Sequence, residues 1–318
     1  WILQGRKEFQ VPAIPSSLGK PPQPSEQADM LRSANQDTTT VALAEYSSLA
    51  GLLSRCKAKH RAVLLHDLFS ARSRSFREVG LEPDHETITL NEECDRLADA
   101  DICIHASLTE AKLLTDRLPD KRHIWLPPQP EIKHGGALSP NRVVFIGVRH
   151  GGNQDALKSI LEEIWPEIHK RRPNTELWIV GEISVMVKRS YPGVRVLGRI
   201  DDLSGIGGPN AIGIAPERAA SGISIKVATY LSMGMSVVTR PCALKAYGDV
   251  LDDLVATADA SSDFVERIVS LLDDPKQRLA IAAKAKQSIH DRLSRTELIS
   301  HLKTLAKVSE ETRQLAPR

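Results

Sequence analysis

Between a hydrophobic run that closes at Pro216 and a helical stretch that closes at Gly234 lies the segment with the clearest chemical character, APERAASGISIKVATYLSMG. A helix opening near Gly222 leaves the backbone N–H groups of Gly222, Ile223 and Ser224 without partners inside the helix. They sit at the positive end of the helix dipole, which suits an anion and above all a phosphate. Gly222 has no side chain to hold such a group away from the backbone. Lys226 falls in the first turn, where the dipole alone disfavours a cation; a bound anion would reverse that preference. A second reading stands beside it: Gly222 simply opens a helix, and Lys226 lays its stem along the surface. Arg218, in the loop, either meets a sugar or phosphate or stays solvated.

Three other clusters share this position just after a hydrophobic run. In LLHDLFSARSR the run ends at His66 and Asp67, which either face a ligand or cap the following helix. Arg72 and Arg74 could draw a phosphate or lie exposed on that helix. In GVRHGGN, Gly147 ends the run and Arg149 follows with a planar fork that matches phosphate oxygens. His150 is an equal alternative, and Asn153 reads as a helix cap. In GRIDD, Arg199 and Ile200 could flank a nucleotide base, and Asp202 reads as the cap of a short helix. GxGxxG, HExxH, paired Cys/His ligand sets and a serine-centred elbow are all absent from the sequence, so no metal site and no acyl-transfer triad is expected.

What positions these clusters is a repeated strand–helix rhythm. Residues 62–65, 101–105 and 123–126 read as strands of one unit; residues 143–146, 177–180, 194–197, 211–215, 236–239 and 254–257 read as strands of a second. Helices are expected over 71–79, 86–100, 108–118, 153–171, 223–233, 264–294 and 298–313, and residues 11–24 as a proline-rich loop. A strand in residues 1–4 is only weakly signalled. The polar stretch KHGGALSPN, residues 133–141, reads as a linker. The layout is α/β: a Rossmann-like first domain over residues 1–132, a second over 142–295, and a terminal helix over 296–318, the two doubly wound domains facing a central cleft.

Composition narrows the function. The 318 residues carry a net charge of only +2, which gives no support to a nucleic-acid binder. Aromatic residues make up 4%, too few for reading single strands by stacking. Cys56, Cys94, Cys103 and Cys242 form no CxxC pair and read as reduced thiols of a cytoplasmic protein. No apolar run approaches the ~20 residues of a membrane span.

The 215–239 segment resembles the donor-binding segment of retaining glycosyltransferases with the GT-B fold, of the glycosyl transferases group 1 type. Pro216, Gly222, Ile223, Lys226, Met233, Gly234 and the Val237-Val238 pair fit the family pattern in register. VVFIGV with Asn153, Asp155 and Ala156, then Trp165-Pro166 and Pro173, then LWIVGE and VRVLGRIDDL, are similar to the family in order and spacing. The resemblance spans roughly residues 41–295. It implies a donor site of Gly147, Arg149, Arg199, Arg218, Gly222, Ile223, Ser224, Lys226 and Thr229. It also implies that His66, at the end of its strand, lies near the transferring sugar. The family carries glutamates at the positions held here by Thr229 and Ser221; Thr229 would make one uncharged hydrogen bond to a ribose where the family makes charge-assisted ones. The opening strand and Gly-rich loop of the family are not evident after Trp1, so the first domain is expected to be incomplete at its start.

The resemblance implies a hexosyltransferase that moves a hexose, with retention, from a nucleoside-diphosphate sugar to an acceptor hydroxyl. That sugar is a co-substrate; no cofactor and no metal is implied. The acceptor would be a glycan or a lipid-linked glycan, in polysaccharide biosynthesis. Location would be cytoplasmic, with peripheral contact to the inner face of the membrane through the basic residues of 276–318 as one use of them and an ordinary solvated face as the other. Two rival readings are a degenerate transferase that binds without catalysis, motivated by Thr229 and Ser221, and a sugar-nucleotide epimerase of the same architecture.

Overall fold

A computed structural model of the chain describes residues 19–36, 39–131, 141–293 and Ser300. The expected strand at 1–4, most of the loop at 11–24, most of the 133–141 linker and nearly all of the terminal helix at 298–313 lie outside the described residues.

The first sheet is parallel and runs in sequence order: β1 (Thr39–Glu45), β2 (Ala58–Leu65), β3 (Ile102–His105) and β4 (Arg122–Trp125). Consecutive right-handed crossovers put their connections on one face. Accordingly α2 (Ser47–Ala50), the residue that ends α4 (Leu90–Arg96) and α5 (Leu108–Arg117) supply Ala50, Leu97 and Leu114 to a single core with Val63, Leu65 and Cys103. Helix α1 (Pro24–Ala34) precedes the sheet, and α3 (Phe69–Glu78) follows β2.

The second sheet has order β10-β9-β8-β5-β6-β7, all parallel: β5 (Arg142–Ile146), β6 (Glu176–Val180), β7 (Val194–Gly198), β8 (Ala211–Ala215), β9 (Ser236–Thr239) and β10 (Ala256–Thr257). The order switches at β5, which pairs with both β6 and β8, and opens a crevice at their carboxyl ends. Helices cover both faces. α6 (Gly151–Ser159), α7 (Trp165–Arg171) and α10 (Ser261–Asp273) pack on one; α8 (Ile225–Ser232) and α11 (Pro275–Arg292) pack on the other, with the short α9 (Pro241–Leu244) beyond β9. Strands covered on both faces are mostly apolar: AIGIA and SVVT are wholly buried, and Thr239 at the end of β9 donates its hydroxyl to the Ala215 carbonyl.

Three expected helices have different limits. The stretch 86–100 is helical only from Leu90 to Arg96, because Thr89 and Glu92 cap each other and set the start. The stretch 264–294 is two helices, broken where Asp274 accepts from the Gln277 N–H and Pro275 opens the next. Between α6 and α7, residues 160–164 widen into a π turn just before Pro166, whose missing N–H leaves the ladder one bond short.

Helix α3 is capped from a distance. The fully buried Glu93 of α4 accepts from the N–H groups of Phe69 (3.0 Å) and Ser70 (2.9 Å), and from the hydroxyls of Ser47 and Ser70. Neither His66 nor Asp67 caps this helix. Glu93→Ala should leave the buried Phe69 N–H and the partly buried Ser70 N–H without their acceptor, at roughly 1–3 kcal/mol each. The urea midpoint is expected to fall by the equivalent of about 3 kcal/mol at constant slope; a loss below about 1 kcal/mol would refute the remote cap.

Candidate active site

The carboxyl ends of β2 and β8 meet across the two domains. At β8 the chain leaves the sheet at Pro216 and returns as α8. That helix is seated by Tyr230, whose hydroxyl accepts the Ile146 N–H (2.8 Å). The ring fits because β8 carries a glycine there: a Cβ on Gly213 would lie 2.4 Å from it. Helix α8 begins at Ile225, three residues later than Gly222, because Gly222 takes a left-handed conformation (φ +58°) that no helix continues.

Gly222 is the meeting point. A Cβ there would lie 2.5 Å from the His66 carbonyl oxygen and 2.8 Å from the Asp67 Cβ. Only glycine allows the donor-loop backbone to touch the end of β2. The His66 side chain is partly open: its Nε2 stands 4.0 Å from Glu45, and its ring packs on Tyr46 with centroids 4.9 Å apart. Tyr46, between β1 and α2, is the one non-glycine residue with positive φ (63°) among the described residues.

The Gly222 N–H is already engaged. It donates to Glu110 Oε1 at 2.7 Å, and the other oxygen of that carboxyl accepts the Leu68 N–H at 3.0 Å. Burial, with Asp67 and then Glu93 nearby, pushes the Glu110 carboxyl up to about 8, so it is largely protonated at neutral pH. Beside it, buried Asp67 takes a hydrogen bond from Arg72 (3.0 Å) and touches the Ser221 hydroxyl at 3.5 Å.

Lys226 does not face the cleft unpaired. Its ammonium is ion-paired with Glu217, donates to Asn153 Oδ1 (2.7 Å) and lies over the Phe145 ring. The second oxygen of Glu217 is buried without a partner. Arg218 is turned away: its fork grips Asp155 at 2.6 and 2.8 Å. Thr229 spends its hydroxyl on the Ile225 carbonyl inside α8.

The GVRHGGN loop lies on the same side. His150, not Asn153, caps α6, accepting the Asn153 N–H through Nδ1. Burial, with Arg72 and Lys226 close by, lowers its pKa to about 4, so it is a neutral cap. Asn153 instead ties the Val148 carbonyl to Lys226. Gly147 is buried, Arg149 is half-buried on the loop, and Arg199 is exposed after β7. The structure thus sets Gly222 against the end of β2 at His66 and Asp67, ties Lys226 to Asn153 of the GVRHGGN loop, and holds Arg218 apart in a pair of its own.

Sequence reasoning missed the first-domain carboxyls that face this loop. Asp84 Oδ2 accepts the Gly151 N–H at the start of α6 (3.0 Å), while its other oxygen takes Arg72. Against the opposing effect of burial, hydrogen bonds from His85, Gly151 and Arg72 hold Asp84 well below the usual carboxylate range. Glu110 did carry a signal, but a misleading one. Ser107-Leu-Thr-Glu110 has capping-box spacing. Ser107 does accept the Glu110 N–H, yet the Glu110 side chain crosses to Gly222 instead of returning to the helix start.

Comparison with known proteins agrees with this layout. Residues 140–274 match the family model of glycosyl transferases group 1. No curated protein matches the chain. Among solved structures, the pneumococcal O-GlcNAc transferase GtfA, in complex with UDP and GlcNAc, is similar over 89% of this chain and 59% of its own (TM-score 0.65, 14% identity). TarM of S. aureus is similar over 88% of this chain and 57% of its own (TM-score 0.62, 10% identity). Sucrose-phosphate synthase from Thermosynechococcus elongatus is similar over 86% and 73% (TM-score 0.64, 14% identity). The chain therefore spans less than two thirds of the length of the first two. Its second domain matches the glycosyl transferases group 1 family, and its two parallel-sheet domains together have the GT-B fold.

Proposed function

We propose that the chain is a glycosyltransferase that moves a hexose, with retention, from a nucleoside-diphosphate sugar to an acceptor hydroxyl. The observation that carries this reading is the contact of Gly222 with the end of β2: the loop that opens α8, inside the matched residues, lies directly against His66. A pyrophosphate at the start of α8 would meet backbone N–H groups and the helix dipole. Lys226 has three donors, of which Glu217 and Asn153 take two. Its charge is shared with Glu217, so Arg149 must supply part of the neutralisation. His66 would position the sugar or stabilise developing charge from the facing domain. On this reading no divalent ion is required. The acceptor is a glycan or a lipid-linked glycan, in polysaccharide assembly, and the protein works in the cytoplasm, in peripheral contact with the membrane. No helix among the described residues is long and apolar enough to cross one.

Titration calorimetry with UDP, GDP, ADP, dTDP and CMP tests this. One nucleotide is expected to bind in the micromolar range, equally well in EDTA. Binding that appears only with Mg²⁺ or Mn²⁺ would overturn metal independence. No binding to any of them would favour the non-catalytic reading, to which the engaged hydroxyls of Thr229 and Ser221 lend support.

A further inference from the structure

We propose that Glu110 is an internal competitor of the donor phosphate: its carboxyl occupies the Gly222 N–H, and a donor must displace it. The proposal rests on the reading of this loop as the donor site.

The geometry is specific. Glu110 stands in the first turn of α5 of the first domain, 112 residues before Gly222, and is 5% exposed. Its two oxygens join the Leu68 and Gly222 N–H groups, so a single side chain ties the end of β2 to the donor loop. Around it the first domain touches the second at further points. Thr109 donates to the Lys245 carbonyl (2.8 Å), Leu108 packs against Gly248, and Asp84 takes the Gly151 N–H. The start of α6 and the loop that leads into α8 are thus both answered by carboxyl groups of the first domain. A phosphate oxygen seeks the same donors with the same acceptor chemistry. Both cannot sit on the Gly222 N–H. Because Glu110 is mostly protonated at neutral pH, it holds this bond with little net charge and yields to a dianionic phosphate more readily than an ionised carboxylate would. Free chain and donor-bound chain then differ in one exchange: the donor loop trades Glu110 for phosphate, and α5 is released from the loop.

The test uses the full chain, with inorganic pyrophosphate and the nucleotide panel as probes, on wild type, Glu110→Ala and Glu110→Gln. Glutamine keeps the volume but offers one acceptor oxygen for two N–H groups, and it serves if alanine fails to fold. We expect pyrophosphate to bind Glu110→Ala at least tenfold more tightly than wild type, with Glu110→Gln between. We expect amide exchange over residues 222–227 to be faster in the free variants and to slow again when pyrophosphate is added. Equal affinities, or unchanged exchange in the variants, overturn the competition. A nucleotide that binds wild type and variants alike overturns it while leaving the transferase reading intact. Tighter pyrophosphate binding in the variants with no nucleotide bound by any of the three proteins supports the competition and overturns the nucleotide-sugar reading instead.

Discussion

Lys226→Ala is expected to lower stability by about 3–5 kcal/mol and to abolish nucleotide binding together. The two effects have different origins, which can be separated. Glu217 is buried and Lys226 is partly buried, with side chains 11% and 13% exposed. Removing the lysine leaves a buried carboxylate whose second oxygen already lacks a partner. An uncompensated buried charge costs far more than the pair contributes, whereas replacing both members by neutral groups of similar size is often nearly neutral. The double change Lys226→Met with Glu217→Gln should therefore recover most of the stability lost by Lys226→Ala. Nucleotide binding should stay lost in the double variant, because no ammonium remains near the start of α8. Chemical denaturation and titration on the three proteins decide it. A double variant that binds nucleotide as wild type does would show that Lys226 is purely structural.

Gly222→Ala should force the two domains apart. At φ +58° any L side chain is strained by roughly 1–2 kcal/mol. The new methyl would also lie 2.5 Å from the His66 carbonyl oxygen, a backbone atom that cannot rotate away. The start of α8 must then withdraw from β2, carrying the Gly222 N–H off Glu110. Small-angle scattering should show a larger radius of gyration. Nucleotide affinity should fall at least tenfold, since the loop that opens α8 and the end of β2 no longer lie together. Gly234→Ala is the control. Gly234 has a similar φ of +70° with nothing within 4 Å of a Cβ, so it isolates the backbone strain. It is expected to cost about 1 kcal/mol and to leave domain closure and binding unchanged. If both variants behave alike, the contact between Gly222 and the end of β2 carries no weight.

These two experiments bear on the same loop from different sides. Lys226 tests the charge beneath it, Gly222 the approach above it. The Glu110 variants test what fills it when no donor is present. A chain in which all three loci respond as described has a donor site assembled from both domains and occupied by its own side chain in the free state.

Much of the architecture could be read directly from the sequence, because its signals are local. Runs such as VVFI, LWIV and AIGIA carry no polar side chain but the indole N–H of Trp178, as suits strands buried on both faces, and glycine or proline marks their ends. The stretch from Ala211 to Gly234 announced a strand, a loop and a helix; Gly222 was read as admitting a phosphate, and what it approaches in the structure is the end of β2. Local signals also misled where they competed. The Thr89–Glu92 box shortened one expected helix, and Asp274-Pro275 divided another. Only the tertiary structure decided which groups answer one another. Glu110 reaches Gly222 across 112 residues, Arg218 pairs with Asp155 across 63, and Glu93 caps a helix that begins 24 residues before it. A buried N–H or a buried charge is satisfied by whichever partner lies within about 3 Å in space, and nothing in the spacing along the chain records that distance.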